Sequence, residues 1–296
     1  MHRSAVVVGN LRSRNVPSVL DRVVARLPER GVAVEALCTV ESGGELHAQV
    51  GRAIDAGAPL VVVAGGDGTL SSVAGLFAHR SSVLGVIPAG TGNSFARTLG
   101  IGLTVEDAVE TIVAGRVAHV DLGVANGTAF ANVATIGLGA RAAREAPATV
   151  KRFAGVLAYV LATIPLSLRS RPFRAALRFD DEAPVEIVTH QLVVANGRYF
   201  GVAPLVPEAT VVDGRLHLAG TASHSIWGTA RLLLAQNLGR PRRVNDGVFR
   251  AASTIAIEAH PPQLVDLDGE TLGVTPVRFS VDRGALAVMV PQAFGA

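Results

Sequence analysis

The run Val61-Val62-Val63-Ala64 stops abruptly at Gly65-Gly66-Asp67-Gly68-Thr69-Leu70, and this break constrains the fold more than any other stretch of the 296 residues. Four consecutive buried-type residues ending in such a loop read as a strand of a parallel sheet, covered on both faces. Glycine reaches φ > 0 without strain and lets a ligand approach main-chain N–H groups. Asp67 adds a carboxylate to the loop, and Thr69 opens the next helix. N–H groups fanned out near a helix N-terminus form a concave site for phosphate-like anions. The loop therefore points to nucleotide binding, and its acid to work beyond binding.

The pattern around this loop extends over the first 120 residues. Strand-like runs Ala5–Val8, Val32–Thr39, Leu60–Ala64 and Val83–Ile87 alternate with helical patterns at Pro17–Arg30, Gly44–Ala56, Thr69–His79 and Val105–Ala114. Such alternation predicts right-handed βαβ units and a mostly parallel sheet, with ligands at the carboxyl ends of the strands. After Val120 the texture changes to short strand-like runs: Val120–Val124, Ala129–Ala134, Arg174–Phe179, Val185–Val194, Leu216–Ala219, Thr254–Ala259, Leu264–Leu267, Val277–Ser280 and Ala287–Val290. Asn126-Gly127, Asn196-Gly197, Asp213-Gly214 and Asp268-Gly269 punctuate them and, taken alone, read as hairpin turns. An antiparallel β domain is expected there, interrupted by helices near 150–168 and Ile226–Asn237. The boundary falls near Gly123, giving domains 1–123 and 124–296, with the last strand or tail able to return to the first.

Composition narrows the function classes. The chain is 49% hydrophobic and 17% charged with a net charge of only +3, a globular and rather apolar balance. Lys151 is the single lysine among 27 basic residues, so no G-x-x-x-x-G-K-[S/T] loop exists and any phosphate must be held by backbone, hydroxyls, Arg or metal. Cys38 is the single cysteine; this excludes an intrachain disulfide, fits a cytoplasmic protein, and places Cys38 as inert core. The N-terminal apolar segment is too short for a signal peptide and reads as a first strand. No H-x-x-x-H or H-E-x-x-H pattern suggests zinc, and no G-x-S-x-G elbow suggests a hydrolase. With 4% aromatic residues and little net charge, nucleic acid is not an expected partner. The greasy run Phe153–Leu168 contains Pro165 and falls short of the roughly 20 residues needed to span a bilayer. Arg141, Arg144, Lys151 and Arg152 precede it, and Arg169, Arg171, Arg174 and Arg178 follow. Basic flanks of that kind suit peripheral docking on anionic headgroups, at about 1 kcal/mol per cation near the surface.

A second glycine-rich strand-to-helix turn follows about one βαβ unit later, at Ile87-Pro88-Ala89-Gly90-Thr91-Gly92-Asn93-Ser94, presenting Thr91 and Asn93. Two such turns on neighbouring parallel strands make a nucleotide cleft. Together they resemble the signatures of the diacylglycerol kinase catalytic domain family, which includes bacterial soluble lipid kinases and the sphingosine and ceramide kinases. The first signature stands as Gly65-Gly66-Asp67-Gly68-Thr69 and the second, G-T-x-N, as Gly90-Thr91-Gly92-Asn93. The resemblance continues through Asp121-Leu122-Gly123, Phe130-Ala131-Asn132-Val133, Asn196-Gly197-Arg198-Tyr199-Phe200-Gly201, Asp213-Gly214-Arg215-Leu216 and Asp268-Gly269-Glu270, covering nearly the whole chain. Departures are a degenerate first loop at Gly9-Asn10-Leu11-Arg12-Ser13, Ser94 and Gly139 where many members carry Asp, and Val202 where a second glycine is frequent.

The resemblance implies an α/β plus all-β architecture of the NAD kinase/diacylglycerol kinase type. Its parts are an N-terminal Rossmann-like parallel α/β nucleotide-binding domain and a C-terminal antiparallel β-sandwich domain for a lipid substrate. It further implies an ATP- and Mg²⁺-dependent lipid kinase that phosphorylates a hydroxyl of a diacylglycerol-like lipid at the membrane surface. Gly65, Gly66, Asp67, Gly68, Thr69, Leu70 and Ser71, with Thr91, Asn93 and Thr39, are implied around the ATP phosphates. Glu270 is the implied proton acceptor with Asp268 beside it, Asp67 organises metal and phosphate, and Asp213 binds a structural Mg²⁺ with carbonyls of Thr210 and Arg215. Phosphoryl transfer needs charge neutralisation, in-line positioning and a base for the alcohol proton, which this allocation supplies. A soluble-substrate kinase of the NAD kinase type and a non-catalytic nucleotide- or lipid-binding relative are the alternatives.

Overall fold

The apolar runs of the N-terminal stretch become the parallel strands β1 (Ser4–Asn10), β2 (Ala33–Val40), β3 (Leu60–Gly65) and β4 (Val83–Pro88), hydrogen-bonded in the order β2-β1-β3-β4. The computed structural model describes residues 4–13, 15–145, 170–200, 203–204, 206–237 and 246–295. β3 and β4 are buried at every position, which is why they carry no polar alternation. β2 is an edge strand and mostly exposed, so Cys38 is half-buried there and not the core residue expected. Between the strands run α1 (Val16–Glu29), α2 (Gly43–Asp55), α3 (Asp67–Ala74), α4 (Ser94–Thr98) and α5 (Val105–Ala114). α1 buries Val16, Leu20, Val23 and Leu27, one helical stripe, and packs beside α5, while α2 packs beside α3. Ser42 caps α2 by accepting the Glu45 N–H at 3.2 Å, and Thr104 caps α5 by accepting that of Asp107 at 3.1 Å. The helix expected from Thr69 to His79 instead begins at Asp67 and ends at Ala74, followed by one 3₁₀ turn at Gly75–Phe77. The extended Gly66 is its N-cap, so Asp67 stands in the first turn, where the helix dipole favours an anion.

By internal contacts the chain forms two units: Met1–Leu122 with Arg283–Ala296, and Gly123–Asp282. β5 (Arg116–Ala125) ends inside the second unit, where Gly123–Ala125 pair with β6 (Thr128–Phe130). Then follow β7 (Val133–Gly137), α6 (Leu138–Glu145), β8 (Phe173–Phe179), β9 (Val185–Thr189), β10 (Gln191–Ala195), β11 (Tyr199–Phe200), β12 (Ala203–Pro204) and β13 (Leu216–Thr221). The helix Ile226–Asn237 separates these from β14 (Gly247–Ala252), β15 (Thr254–His260), β16 (Leu264–Leu267), β17 (Glu270–Val274) and β18 (Val277–Val290). One layer of this unit is a six-stranded antiparallel sheet in the order β14-β13-β10-β7-β16-β17. The other runs β9-β8-β15 and onto the first half of β18. Alternate residues of both layers meet in one core: Ile136, Leu192, Val194, Leu216, Leu218 and Val265 face Phe173, Leu177, Phe179, Ile255, Ile257 and Phe279. That is a β-sandwich.

Two runs divide differently from the expectation. Val185–Val194 is two strands, one in each layer, turned at a corner where Thr189 Oγ1 accepts the Gln191 N–H at 3.2 Å. Period-two alternation is the same in either sheet, so hydropathy cannot show the crossing. Val277–Ser280 and Ala287–Val290 are conversely one strand, the polar Asp282-Arg283-Gly284 lying within it. Its second half belongs to the first unit: Ala285 to Val290 are all buried, Val288 pairs with Leu84 of β4, and the Gly284 N–H donates to Asp121 Oδ1 at 2.8 Å. The greasy segment Phe153–Leu168, its helix near 150–168, and Lys151, Arg152 and Arg169 lie outside the described residues. Among the described residues no helix is long and apolar enough to cross a membrane. Of the remaining basic flank, Arg171, Arg174 and Arg178 are exposed, and Arg141 donates to Gln263 Oε1 at 3.1 Å.

Candidate functional site

In the first unit, the register β1–β2–β3–β4 aligns the carboxyl ends of all four strands. Thr39 pairs with Gly9, Gly9 with Ala64, and Gly65 with Pro88. The expected nucleotide residues Thr39, Gly65–Ser71, Thr91 and Asn93 therefore share one edge of the sheet. Connections leave β1 toward β2 and β3 toward β4, so the reversal of winding, where open α/β sheets bind ligands, lies between β1 and β3. Asn10 bridges that point: its Nδ2 donates to Thr69 Oγ1 at 2.9 Å, while its Oδ1 accepts the Arg12 N–H at 3.1 Å. The resemblance implies a contribution of Gly9–Ser13 through backbone groups, and the Asn10 side chain adds a contact which that reading did not assign. The signal was an amide at a strand end.

The two glycine loops touch directly. A Cβ on Gly90 would lie 2.6 Å from Gly66 Cα, and one on Gly65 would lie 2.4 Å from the Thr69 side chain. Glycine is required for close approach, of the Gly66 backbone at Gly90 and of the Thr69 side chain at Gly65, and not for a left-handed φ. The second loop is held internally by Asn93, itself left-handed at φ 52°, whose Oδ1 accepts the Gly90 N–H and whose Nδ2 donates to Gly90 O, each at 2.9 Å. Arg97 Nε donates to Gly92 O at 2.9 Å. Asp67 closes the arrangement, accepting the Phe95 N–H at 3.3 Å with further donors from Ser94 and Asn93. It thus caps α4 from across the loop. Burial raises its pKa above the usual carboxylate value, outweighing the lowering by these N–H groups and the Ser94 hydroxyl. Ser94, expected from the resemblance to stand where an acid is common, here donates to Asp67 from its backbone and its hydroxyl. Thr91 is exposed at the rim, and Ser71 is half-buried.

In the second unit, Asp268 and Gly269 form the two-residue turn joining β16 to β17, with φ of 51° and 99°. Both values are positive, as a type I′ hairpin needs. The Asp268 carboxylate accepts three main-chain N–H groups, from Ala131 at 2.7 Å, Asn132 at 3.1 Å and Val133 at 2.8 Å, and its own N–H donates to Val133 O at 2.9 Å. The buried Asp266 accepts the Gly269 N–H at 2.8 Å. Asn196 joins the same cluster through Asn132 O at 2.8 Å and Ala131 O at 2.9 Å. Three segments distant in sequence, Phe130–Val133, Asn196–Gly197 and Asp268–Glu270, are thereby brought together. Glu270 pairs with Leu267 through the backbone, and its exposed side chain makes no hydrogen bond or ion pair among the described residues.

Asp213 lies in the turn before β13. Its Oδ1 accepts the Arg215 N–H at 2.9 Å, its Oδ2 lies 2.9 Å from His217 Nε2, and its N–H donates to Thr210 O at 3.4 Å. Among the described residues no group of three or more His, Cys, Asp or Glu is placed to hold a metal ion.

Residues 4–125 match the family model of the diacylglycerol kinase catalytic domain, and residues 132–290 that of the YegS C-terminal NAD kinase β-sandwich-like domain. The chain belongs to the diacylglycerol kinase family. It is 25% identical to a diacylglycerol kinase of Staphylococcus saprophyticus, over 95% of this chain and 92% of that one. Its identity to a probable YegS-like lipid kinase of Cronobacter sakazakii is 30%, over 92% and 91% of the two chains. The crystal structure of a Bacillus anthracis protein assigned as a diacylglycerol kinase superposes with a TM-score of 0.85 at 25% identity, covering 99% of this chain and 96% of that one. An Archaeoglobus fulgidus NAD kinase solved in complex with ATP shares the fold at a TM-score of 0.54 and 14% identity, over 97% and 93%. This diacylglycerol kinase family member thus carries both halves of the family's architecture, a parallel α/β sheet and a β-sandwich.

Proposed function

We propose that this family member is an ATP-dependent lipid kinase that transfers the γ-phosphoryl group to a hydroxyl of a diacylglycerol-like lipid. The observation that carries the reading is the junction of the two glycine loops at the carboxyl edge of the parallel sheet, locked by Asp67 and Asn93. The N–H groups of Gly66–Thr69 at the start of α3 and the Thr91 hydroxyl receive the phosphates, with Leu70 and Ser71 on the turn behind them and Thr39 at the end of the neighbouring strand. With no P-loop lysine, preorganised backbone dipoles carry more of the charge stabilisation. Mg²⁺ arriving with the nucleotide would neutralise phosphate charge. Asp67, accepting the N–H groups at the start of α4, holds the second loop beside the phosphates. Glu270 takes the proton as the lipid oxygen bonds to the γ-phosphorus and the bond to the β-phosphate oxygen breaks, leaving ADP. The Asp268 clamp on Ala131–Val133 keeps the Glu270 turn in place. Asp268, with its oxygens engaged by main-chain N–H groups, positions the turn and does not itself react. The chain's site of action is the cytoplasmic face of a membrane, reached by peripheral contact.

The test is transfer of label from [γ-³²P]ATP with Mg²⁺ into a panel of lipid alcohols in mixed micelles, with NAD as the soluble acceptor. Label in a lipid, reduced at least ~100-fold in Glu270→Gln, is the expected result. Label in NAD alone, or full activity in Glu270→Gln, would sink the reading or its base.

A further inference from the structure

The resemblance places a structural Mg²⁺ on Asp213, and the residues present fit it poorly. A carboxylate only accepts hydrogen bonds, so the 2.9 Å contact between Asp213 Oδ2 and His217 Nε2 is an N–H of the imidazole donating. The other oxygen accepts the Arg215 N–H, leaving each carboxylate oxygen with a donor already on it. Mg²⁺ instead demands near-octahedral oxygen ligands and gives up water reluctantly. The imidazole is not a loosely placed side chain. His217 sits in β13, paired on one side with Ala195 of β10 and on the other with Ala251 of β14, so its backbone is fixed from both neighbours. Its side chain is only 12% exposed, and a covered imidazole N–H needs an acceptor, which Asp213 supplies.

We infer that His217 occupies the position on Asp213 that a structural divalent cation would take, so that the turn entering β13 folds without metal in this chain. The donor comes from within the strand, four residues after the acid. The turn is then organised by one covalently tethered group in place of an ion that would need to be recruited. This inference is independent of the proposed activity, because it concerns the nucleotide-free protein.

The experiment is titration of nucleotide-free, full-length protein with Mn²⁺, read by electron paramagnetic resonance, together with thermal unfolding in EDTA and in Mg²⁺. Wild type is expected to bind no stoichiometric Mn²⁺ at this turn and to unfold at the same temperature in both buffers. His217→Gln, which keeps an N–H donor, should behave alike. His217→Asp, which replaces the donor with oxygens, should gain one Mn²⁺ per chain and a Tm that rises with Mg²⁺; folding only when Mg²⁺ is present would also support the inference. One Mn²⁺ per wild-type chain that disappears in Asp213→Asn would overturn it, whereas an ion that persists in Asp213→Asn lies elsewhere and leaves it standing. A folded His217→Asp chain indifferent to both metals would also overturn it, and should that chain fail to fold in any buffer, the wild-type titration decides.

Discussion

Asp67 and Asp268 look alike in the sequence, each an acid beside glycine, yet their surroundings give them different physics. Desolvation raises the Asp67 pKa, so its neutral form is favoured on folding. Its contribution to stability is complete below the unfolded-state pKa and is lost as pH rises through the folded one. Asp67→Asn, which keeps an acceptor for the Phe95 N–H without the charge, should therefore unfold at a higher temperature than wild type at pH 7. The difference should close toward about pH 4, where an ordinary Asp protonates. Phosphoryl transfer should fall in the same variant, and a Tm below wild type at neutral pH would contradict the burial argument. Asp268 is spent on main-chain donors. Asp268→Ala leaves three N–H groups without their acceptor, at about 1–3 kcal/mol for each that finds no other partner. Denaturant unfolding should show the loss, with kcat lowered more than KM for ATP. Asp268→Asn keeps one acceptor oxygen and should restore part of both. Its pH–rate profile should match wild type, as expected of a positioning residue and not of a reacting one.

Among the elements, the glycine loops were legible because strand endings and glycine clusters are local signals. What they pack against was not. Nothing in Gly90-Thr91-Gly92-Asn93 states that Gly90 rests on Gly66, or that Asn93 folds its amide back onto Gly90. Gly90→Ala puts a Cβ 2.6 Å from the Gly66 backbone, which must then move. We expect a loss of about 1–3 kcal/mol in stability, typical of overpacking, with weakened nucleotide binding. At Gly68 an added Cβ meets nothing within 4 Å and φ is not positive, so Gly68→Ala should fold as wild type. Circular dichroism melts with nucleotide titration of the pair check this, and equal behaviour of the two variants would refute the close-approach argument. The corner at His190 taught the same lesson: the apolar run 185–194 was visible, but its division between two sheets was not.

For the whole molecule, the return of the chain after residue 282 carries weight. Leu286, Val288, Met289 and Val290 are buried in the first unit, and burying each such side chain is worth about 1.5–3 kcal/mol. That sum is comparable to the roughly 5–15 kcal/mol by which a folded protein is stable at all. A chain ending at Asp282 should therefore fail to give a cooperative unfolding transition in its α/β unit, and a normal melt with retained nucleotide binding would refute this. By itself the sequence determined the order of strands and helices in the α/β part, the positions of the two glycine loops and the turn residues. It also carried the family signatures that single out Asp67, Asn93 and Glu270. These are local properties, set by side-chain period, glycine conformation and short spacing. Only the tertiary structure decided that Asp67 caps α4, that Asn10 bridges β1 to α3, and that Asp268 clamps Ala131–Val133. Each of those is a contact between segments far apart in the chain or across a strand register. Such contacts exist only once the backbone is placed, because a hydrogen bond is decided by distance and direction and not by the residues' order.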